Sequence, residues 1–211
     1  MSQPSSGFKM IRLMTVVSLL CGLLIVSTEV NTRARIRRNQ ETIMRESVAQ
    51  LLPGIEKQII YGIEPSGDLT ILNSAAAPGP RLFAGYDASG KFLGVVIEAS
   101  ERGYADIISA MYAYAPDTQT ITGFQVVDMK ETPGLGNRIS TDLPFLENFK
   151  SLDATHPIVT VKHGAKKNPW EIDAISGATV SSRAVGRMLQ ESTQSVVPIV
   201  QKNLGRIKRG E

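Results

Sequence analysis

RLFAGYDASGKFLGVVIEASERGYADIISAMYAYAPDTQTITGFQVVDM, residues 81–129, decides the architecture of the chain. It holds four short runs rich in β-branched and aromatic residues, at 81–87, 92–98, 107–115 and 120–129. Asp87-Ala88-Ser89-Gly90 and Pro116-Asp117-Thr118 separate two pairs of runs with turn-forming residues. Towards the N-terminus the pattern repeats at 58–63 and 69–73, split by Pro65-Ser66-Gly67-Asp68, with a loop at 75–80 (AAAPGP). Six consecutive strands without intervening helices predict an antiparallel sheet. Helices are expected only later, at 143–149 and at 180–203. In the second of these, Ala184, Val185, Met188 and Leu189 share one face that packs onto the sheet. The class is α+β.

The first fifty residues are of another kind. LMTVVSLLCGLLIVST, residues 13–28, carries no formal charge, and Ile11 and Val30 extend it to the length of a spanning helix. Lys9 and Arg12 before an apolar core also suit a signal peptide, but Val26-Ser27-Thr28-Glu29 offers no pair of small residues for cleavage. The segment is read as an uncleaved anchor. The expected organisation is a short N-terminus at 1–10, a transmembrane helix at 11–30, a stalk helix at 31–54 stopped by Pro53-Gly54, and a folded domain at 55–211.

Charge and composition exclude several classes. Residues 1–50 hold seven Lys/Arg against three Asp/Glu, and the rest sixteen against seventeen, so the folded part is near neutral. That disfavours a nucleic-acid-binding domain. Cys21 is the single cysteine, and His156 and His163 are the two histidines, too few for an iron–sulfur cluster, a thiolate zinc site or a histidine-rich metal site. No metal is expected, and any demanding redox chemistry needs an organic cofactor.

Two motifs stand out. Glu131-Thr132-Pro133-Gly134-Leu135-Gly136 follows the last run of the sheet. It makes either an ordinary strand-to-loop turn or an irregular backbone that approaches a flat ligand closely, with Glu131 and Thr132 as acceptor and hydroxyl at its rim. Asp173-Ala174-Ile175-Ser176-Gly177-Ala178-Thr179-Val180-Ser181-Ser182 opens the C-terminal helix. Its hydroxyls can cap the helix, or its free N–H groups and the helix dipole can hold an anion such as phosphate. Four hydroxyls around Gly177-Ala178 exceed what capping requires. Neither a Walker loop nor G-x-S-x-G is present. Gly103-Tyr104 and Trp170 are weaker candidates to contact a ring, and the histidines read as surface or loop residues.

Together, DAISGATVSS and ETPGLG resemble the FMN-binding domain shared by the G subunit of the Rnf electron-transport complex and the C subunit of the sodium-pumping NADH:quinone reductase. The resemblance extends over the whole layout of anchor, stalk and domain. It implies an antiparallel-sheet FMN-binding domain behind a single N-terminal transmembrane helix. It further implies that a flavin transferase reads Asp173, Ser176, Gly177, Ala178 and Thr179, and esterifies FMN through its phosphate to Thr179. Ser176, Gly177, Ala178 and Ser182, with Glu131, Thr132, Gly134, Leu135 and Gly136, are then the residues around the cofactor.

The shorter chain favours the Rnf protein over the quinone-reductase one. The implied function is electron carriage by covalent FMN within a membrane-bound ion-translocating ferredoxin:NAD⁺ oxidoreductase, with no catalytic residue in this chain. The implied partners are the other Rnf subunits (A, B, C, D and E), the flavin transferase during maturation, and membrane lipid. A membrane-tethered flavin sensor and an anchored binding protein without flavin are the alternatives from other classes. The family topology implies a bacterial inner-membrane protein with its FMN domain on the periplasmic side. The arginines at 33, 35, 37 and 38 argue the other way by the positive-inside rule.

Overall fold

Strands β1 (Lys57–Ile63), β2 (Leu69–Leu72), β3 (Arg81–Tyr86), β4 (Phe92–Arg102), β5 (Ile107–Ala115), β6 (Thr120–Asp128) and β7 (Leu152–Asp153) form one sheet in the order β2-β1-β3-β4-β5-β6-β7. Every neighbouring pair is antiparallel. The computed structural model from which they are taken describes residues 6–72 and 79–211. All six predicted strands are present. The last residue of the second, and most of the predicted 75–80 loop, lie outside the described residues.

Alternation along the central strands explains why their sequences are apolar almost throughout. Leu82, Val95, Ile97, Tyr112, Tyr114 and Ile121 point to one face and join the larger core. Phe83, Val96, Met111 and Ala113 point to the other and form a smaller cluster. A sheet buried on both faces loses the polar alternation of a half-solvated one.

Each face has its own helix. The larger core is closed by α3 (Thr179–Lys202), through Ala184, Val185, Met188 and Leu189 as the sequence predicts. Tyr112 donates or accepts a 2.7 Å hydrogen bond with Ser192 of that helix, so its buried phenol is satisfied. The smaller cluster is closed by Met44, Val48, Leu51 and Leu52, at and just beyond the end of helix α1 (Ser6–Leu51). Gly85 and Gly123 lie beneath it, where a Cβ would press on Leu52 and Ile55 or on Leu51. Small residues on the sheet therefore let the helix end approach closely.

The predicted anchor and stalk are one continuous helix, α1, ending shortly before Pro53-Gly54, where Gly54 turns with φ +86°. It divides between two compact units, one ending at Thr42 and the other running from Ile43 to Glu211. Leu19, Leu20, Leu23 and Leu24 are exposed, and α1 is long and apolar enough to cross a membrane.

Several short elements were not legible beforehand. Strand β7 adds only two residues at the edge of the sheet, beside β6. Strands β8 (Val159–Val161) and β9 (Glu171–Asp173) form a small parallel pair, the exception to the antiparallel expectation. Gly136–Ser140 forms a 3₁₀ turn, and α4 (Leu204–Arg209) follows α3 after Asn203. Helix α2 (Leu143–Glu147) is shorter than the predicted 143–149, since Asn148 turns its side chain back to the Phe145 carbonyl.

Candidate functional site

Both motifs come to one place. A cavity of about 290 Å³ is lined by Glu131, Thr132, Leu135 and Gly136 of the first motif and by residues 177–181 of the second, with Tyr104 as a further wall. That volume lies at the lower end of small-molecule sites, about 300 Å³ upward.

The second motif is pinned at both ends of its loop. At its start, the Asp173 carboxylate accepts from the Gly164 N–H at 2.7 Å, and the Asp173 N–H donates to Asn148 Oδ1. Farther along, Ser182 Oγ accepts from the Ile175 N–H at 3.1 Å and donates to the Ala178 carbonyl at 2.9 Å. Gly177, with φ +82°, makes the turn between them. The tip, Ser176-Gly177, stays exposed and is steadied by Arg138, whose guanidinium donates to the Ser176 carbonyl at 3.2 Å and pairs with Asp142.

Capping, the plainer reading of the hydroxyls, does not account for this geometry. The residue at the N-cap of α3 is Ala178, which has no side-chain acceptor, and the first intrahelical bond runs from the Ser182 N–H to Ala178. The N–H groups of the first turn thus point from an uncapped helix end beside the cavity, where the dipole favours an anion. Thr179 sits on that turn, half-buried, and its hydroxyl has no hydrogen-bond partner among the described residues.

The first motif behaves differently. Glu131 is 7% exposed. Its Oε2 accepts from the Ser181 hydroxyl at 2.6 Å and its Oε1 from the Ala105 N–H at 3.0 Å. Burial alone raises a carboxyl group, but the Ser181 hydroxyl and the N–H groups of Ala105, Asp106 and Tyr104 outweigh it and hold Glu131 below the usual carboxylate range. Gly134 takes φ +75° at the turn, and Leu135 is exposed at the cavity wall.

Seven of the residues expected around the cofactor line the cavity: Glu131, Thr132, Leu135, Gly136, Gly177, Ala178 and Thr179. Three do not. Ser176 lines a neighbouring cavity of about 170 Å³ with Arg138 and His163, Ser182 is fully buried in the loop closure, and Gly134 only turns the chain. Asp173, expected only as part of the transferase signal, lines that neighbouring cavity too. Tyr104 is in place, 71% exposed. Trp170 is not: it stacks on His156 at 4.3 Å, a tilt of 21° between the rings, away from the cavity lining. Arg138 was missed, and nothing in its sequence neighbourhood marks it.

The donor set fits a phosphate-bearing flat cofactor such as FMN. The uncapped helix end suits the phosphate, the free Thr179 hydroxyl adjoins it, and Tyr104, Leu135 and Val180 supply apolar walls.

Comparison with known proteins agrees. Residues 103–194 match the family model described as an FMN-binding domain. Over 197 residues the chain is 32% identical to the G subunit of the ion-translocating oxidoreductase complex of Methanosarcina acetivorans, covering 93% of this chain and 97% of that one. It is 36% identical over 106 residues to the G subunit of the proton-translocating ferredoxin:NAD(+) oxidoreductase complex of Clostridium ljungdahlii, covering 50% and 55% respectively. The crystal structure of Shewanella oneidensis NqrC superposes with a TM-score of 0.58 at 22% identity, covering 85% of this chain and 99% of that one, and shares its fold. The chain belongs to the family of G subunits of ion-translocating oxidoreductase complexes.

Proposed function

We propose that this chain is an electron-carrier subunit of a membrane-bound, ion-translocating ferredoxin:NAD⁺ oxidoreductase complex, working through FMN esterified to Thr179. The observation that carries the reading is the meeting of ETPGLG and the first turn of α3 on one cavity, with the Thr179 hydroxyl unpartnered at an uncapped helix end. The relatives in Methanosarcina acetivorans, named for an ion-translocating oxidoreductase complex, and in Clostridium ljungdahlii, named for a ferredoxin:NAD(+) oxidoreductase complex, support that class over the quinone-reductase alternative.

When bound, the flavin supplies reversible electron transfer; the protein supplies placement. The N–H groups of the first turn of α3 hold the phosphodiester, which keeps one negative charge where the dipole favours it. Tyr104, Leu135 and Val180 line the cavity and would cover part of a bound ring from water. Gly177 and Ala178 leave the backbone open around the ester. The tether keeps a cofactor in a site that must stay accessible to redox partners.

In this reading 11–30 is the membrane anchor and 31–54 the stalk helix, whose last turns from Ile43 on fold with the domain at 55–211. That folded unit lies on the periplasmic side, where a flavin transferase reads Asp173 to Thr179. Other subunits of the complex and membrane lipid are its partners. A reporter fused after Glu211 tests the side: activity only in the cytoplasm overturns that part.

The cofactor reading is tested on full-length protein made with a flavin transferase. Fluorescence that survives denaturation, with a mass raised by one FMN less one water and lost in Thr179→Ala, is the expected result. A dark wild type at its unmodified mass overturns it.

A further inference from the structure

A carboxylate buried as deeply as Glu131 must be compensated. No lysine, arginine or histidine pairs with it among the described residues. Its hydrogen-bond partners are the Ser181 hydroxyl and the Ala105 N–H, with the neighbouring N–H groups of Tyr104 and Asp106 also favouring the charge, an anion-holding nest made by the chain itself.

Two glycines show that the fold is built around this carboxylate. A Cβ on Gly103 would overlap Glu131 Oε1, and one on Gly136 would overlap Oε2 and crowd Ser181 Oγ. The two glycines thus leave room for its two oxygens, and Gly103 for the Ile108 side chain as well. Three segments converge on it: the turn after β4, the loop 131–136, and the first turn of α3. These are the walls of the cavity.

We infer that Glu131 is a positioning residue, whose carboxylate latches the Tyr104 wall to the first turn of α3 and sets a permanent, cation-free negative charge in the wall of the flavin cavity. It is therefore not a group held ready to bond the cofactor, since the Ser181 hydroxyl and the Ala105 N–H already take its oxygens. A fixed negative charge opposes electron gain by a neighbouring ring, so it lowers the reduction potential. The charge role rests on the FMN reading; the latch does not.

The test uses full-length protein in detergent, as wild type, Glu131→Gln, Glu131→Ala and Ser181→Ala. Made without a flavin transferase, the proteins are compared by amide hydrogen exchange. Exchange at 104–106 is expected to rise at least about tenfold in Glu131→Ala, from loss of hydrogen bonds to a charged acceptor, and by less in Glu131→Gln, whose amide oxygen still accepts. Unchanged exchange at 104–106 in both Glu131 variants overturns the latch.

Made with the transferase, the loaded proteins are titrated for midpoint potential. Glu131→Gln is expected to shift it positive, whereas Ser181→Ala, which keeps the charge, shifts it far less. A midpoint unmoved or more negative in Glu131→Gln, or an equal positive shift in Ser181→Ala, overturns the charge role. A wild type that takes up no flavin overturns the FMN reading and the charge role with it, and the exchange result still decides the latch.

Discussion

The loops 131–136 and 173–178 meet at the same cavity and use opposite chemistry. The first turns its one charged side chain inward, where Glu131 is consumed by Ser181 and Ala105. The second ends at a hydroxyl left without a partner, Thr179, while the serines beside it are both occupied. Similar-looking glycine- and hydroxyl-rich motifs thus divide the labour. One sets shape; the other leaves free the hydroxyl that we propose carries the flavin.

The largest expected effect breaks or keeps that division outright. Thr179→Ala removes all covalent flavin, read by fluorescence after denaturation. It leaves the unfolding midpoint nearly unchanged, within about 0.5 kcal/mol, because the lost hydroxyl holds nothing. Flavin retained in Thr179→Ala would move the reactive oxygen elsewhere and end the comparison.

Ser182→Ala is the converse case, three residues away. It strands the buried Ile175 N–H, so a loss of about 1–3 kcal/mol is expected in denaturant unfolding. Gly136→Ala sharpens the first loop: overpacking against Glu131 costs about 1–3 kcal/mol, and a double-mutant cycle with Glu131→Ala recovers most of it. Additive costs would mean that Gly136 answers to something other than the carboxylate.

Acid provides a smaller effect with a definite sign. The folded Glu131 carboxyl lies below its unfolded value of about 4.3, so its contribution is complete above that pH and fades as pH falls through the folded value. The stability gap between wild type and Glu131→Gln should narrow below about pH 4. A gap that widens there would contradict the ionised latch. Smallest is Arg138→Ala, under about 1 kcal/mol, because the arginine end of its pair with Asp142 is nearly half exposed, with faster exchange at 176–178 as its readout.

How much could be read beforehand follows from what each segment depends on. The six long strands were legible because β-branched and aromatic runs between turn residues are a local signal. Helix α3 was legible because Ala184, Val185, Met188 and Leu189 repeat at helical spacing. β8 and β9 were not: each is three residues long and owes its pairing to a partner twelve residues away rather than to its own composition. At the site, the two motifs announced themselves by residue type. Their contacts did not, since the Glu131–Ser181 bond joins residues fifty apart and Arg138 meets Ser176 across thirty-eight. Trp170 misled because an aromatic near a motif carries no direction in sequence, and the fold gave it His156 instead. Gly103, expected beside a ring contact, marks a close approach of another kind, to the Glu131 carboxylate of another loop and to Ile108.

The end of α1 has a practical consequence for anyone wishing to handle the domain free of lipid. Pro53-Gly54 is the natural place to cut on inspection of the sequence. Cutting there would discard Met44, Val48, Leu51 and Leu52, and leave Phe83, Val96, Met111 and Ala113 facing water. A fragment starting after the proline is expected to clump during purification, whereas one starting at Ile43 keeps that lid and elutes from a sizing column as a single species.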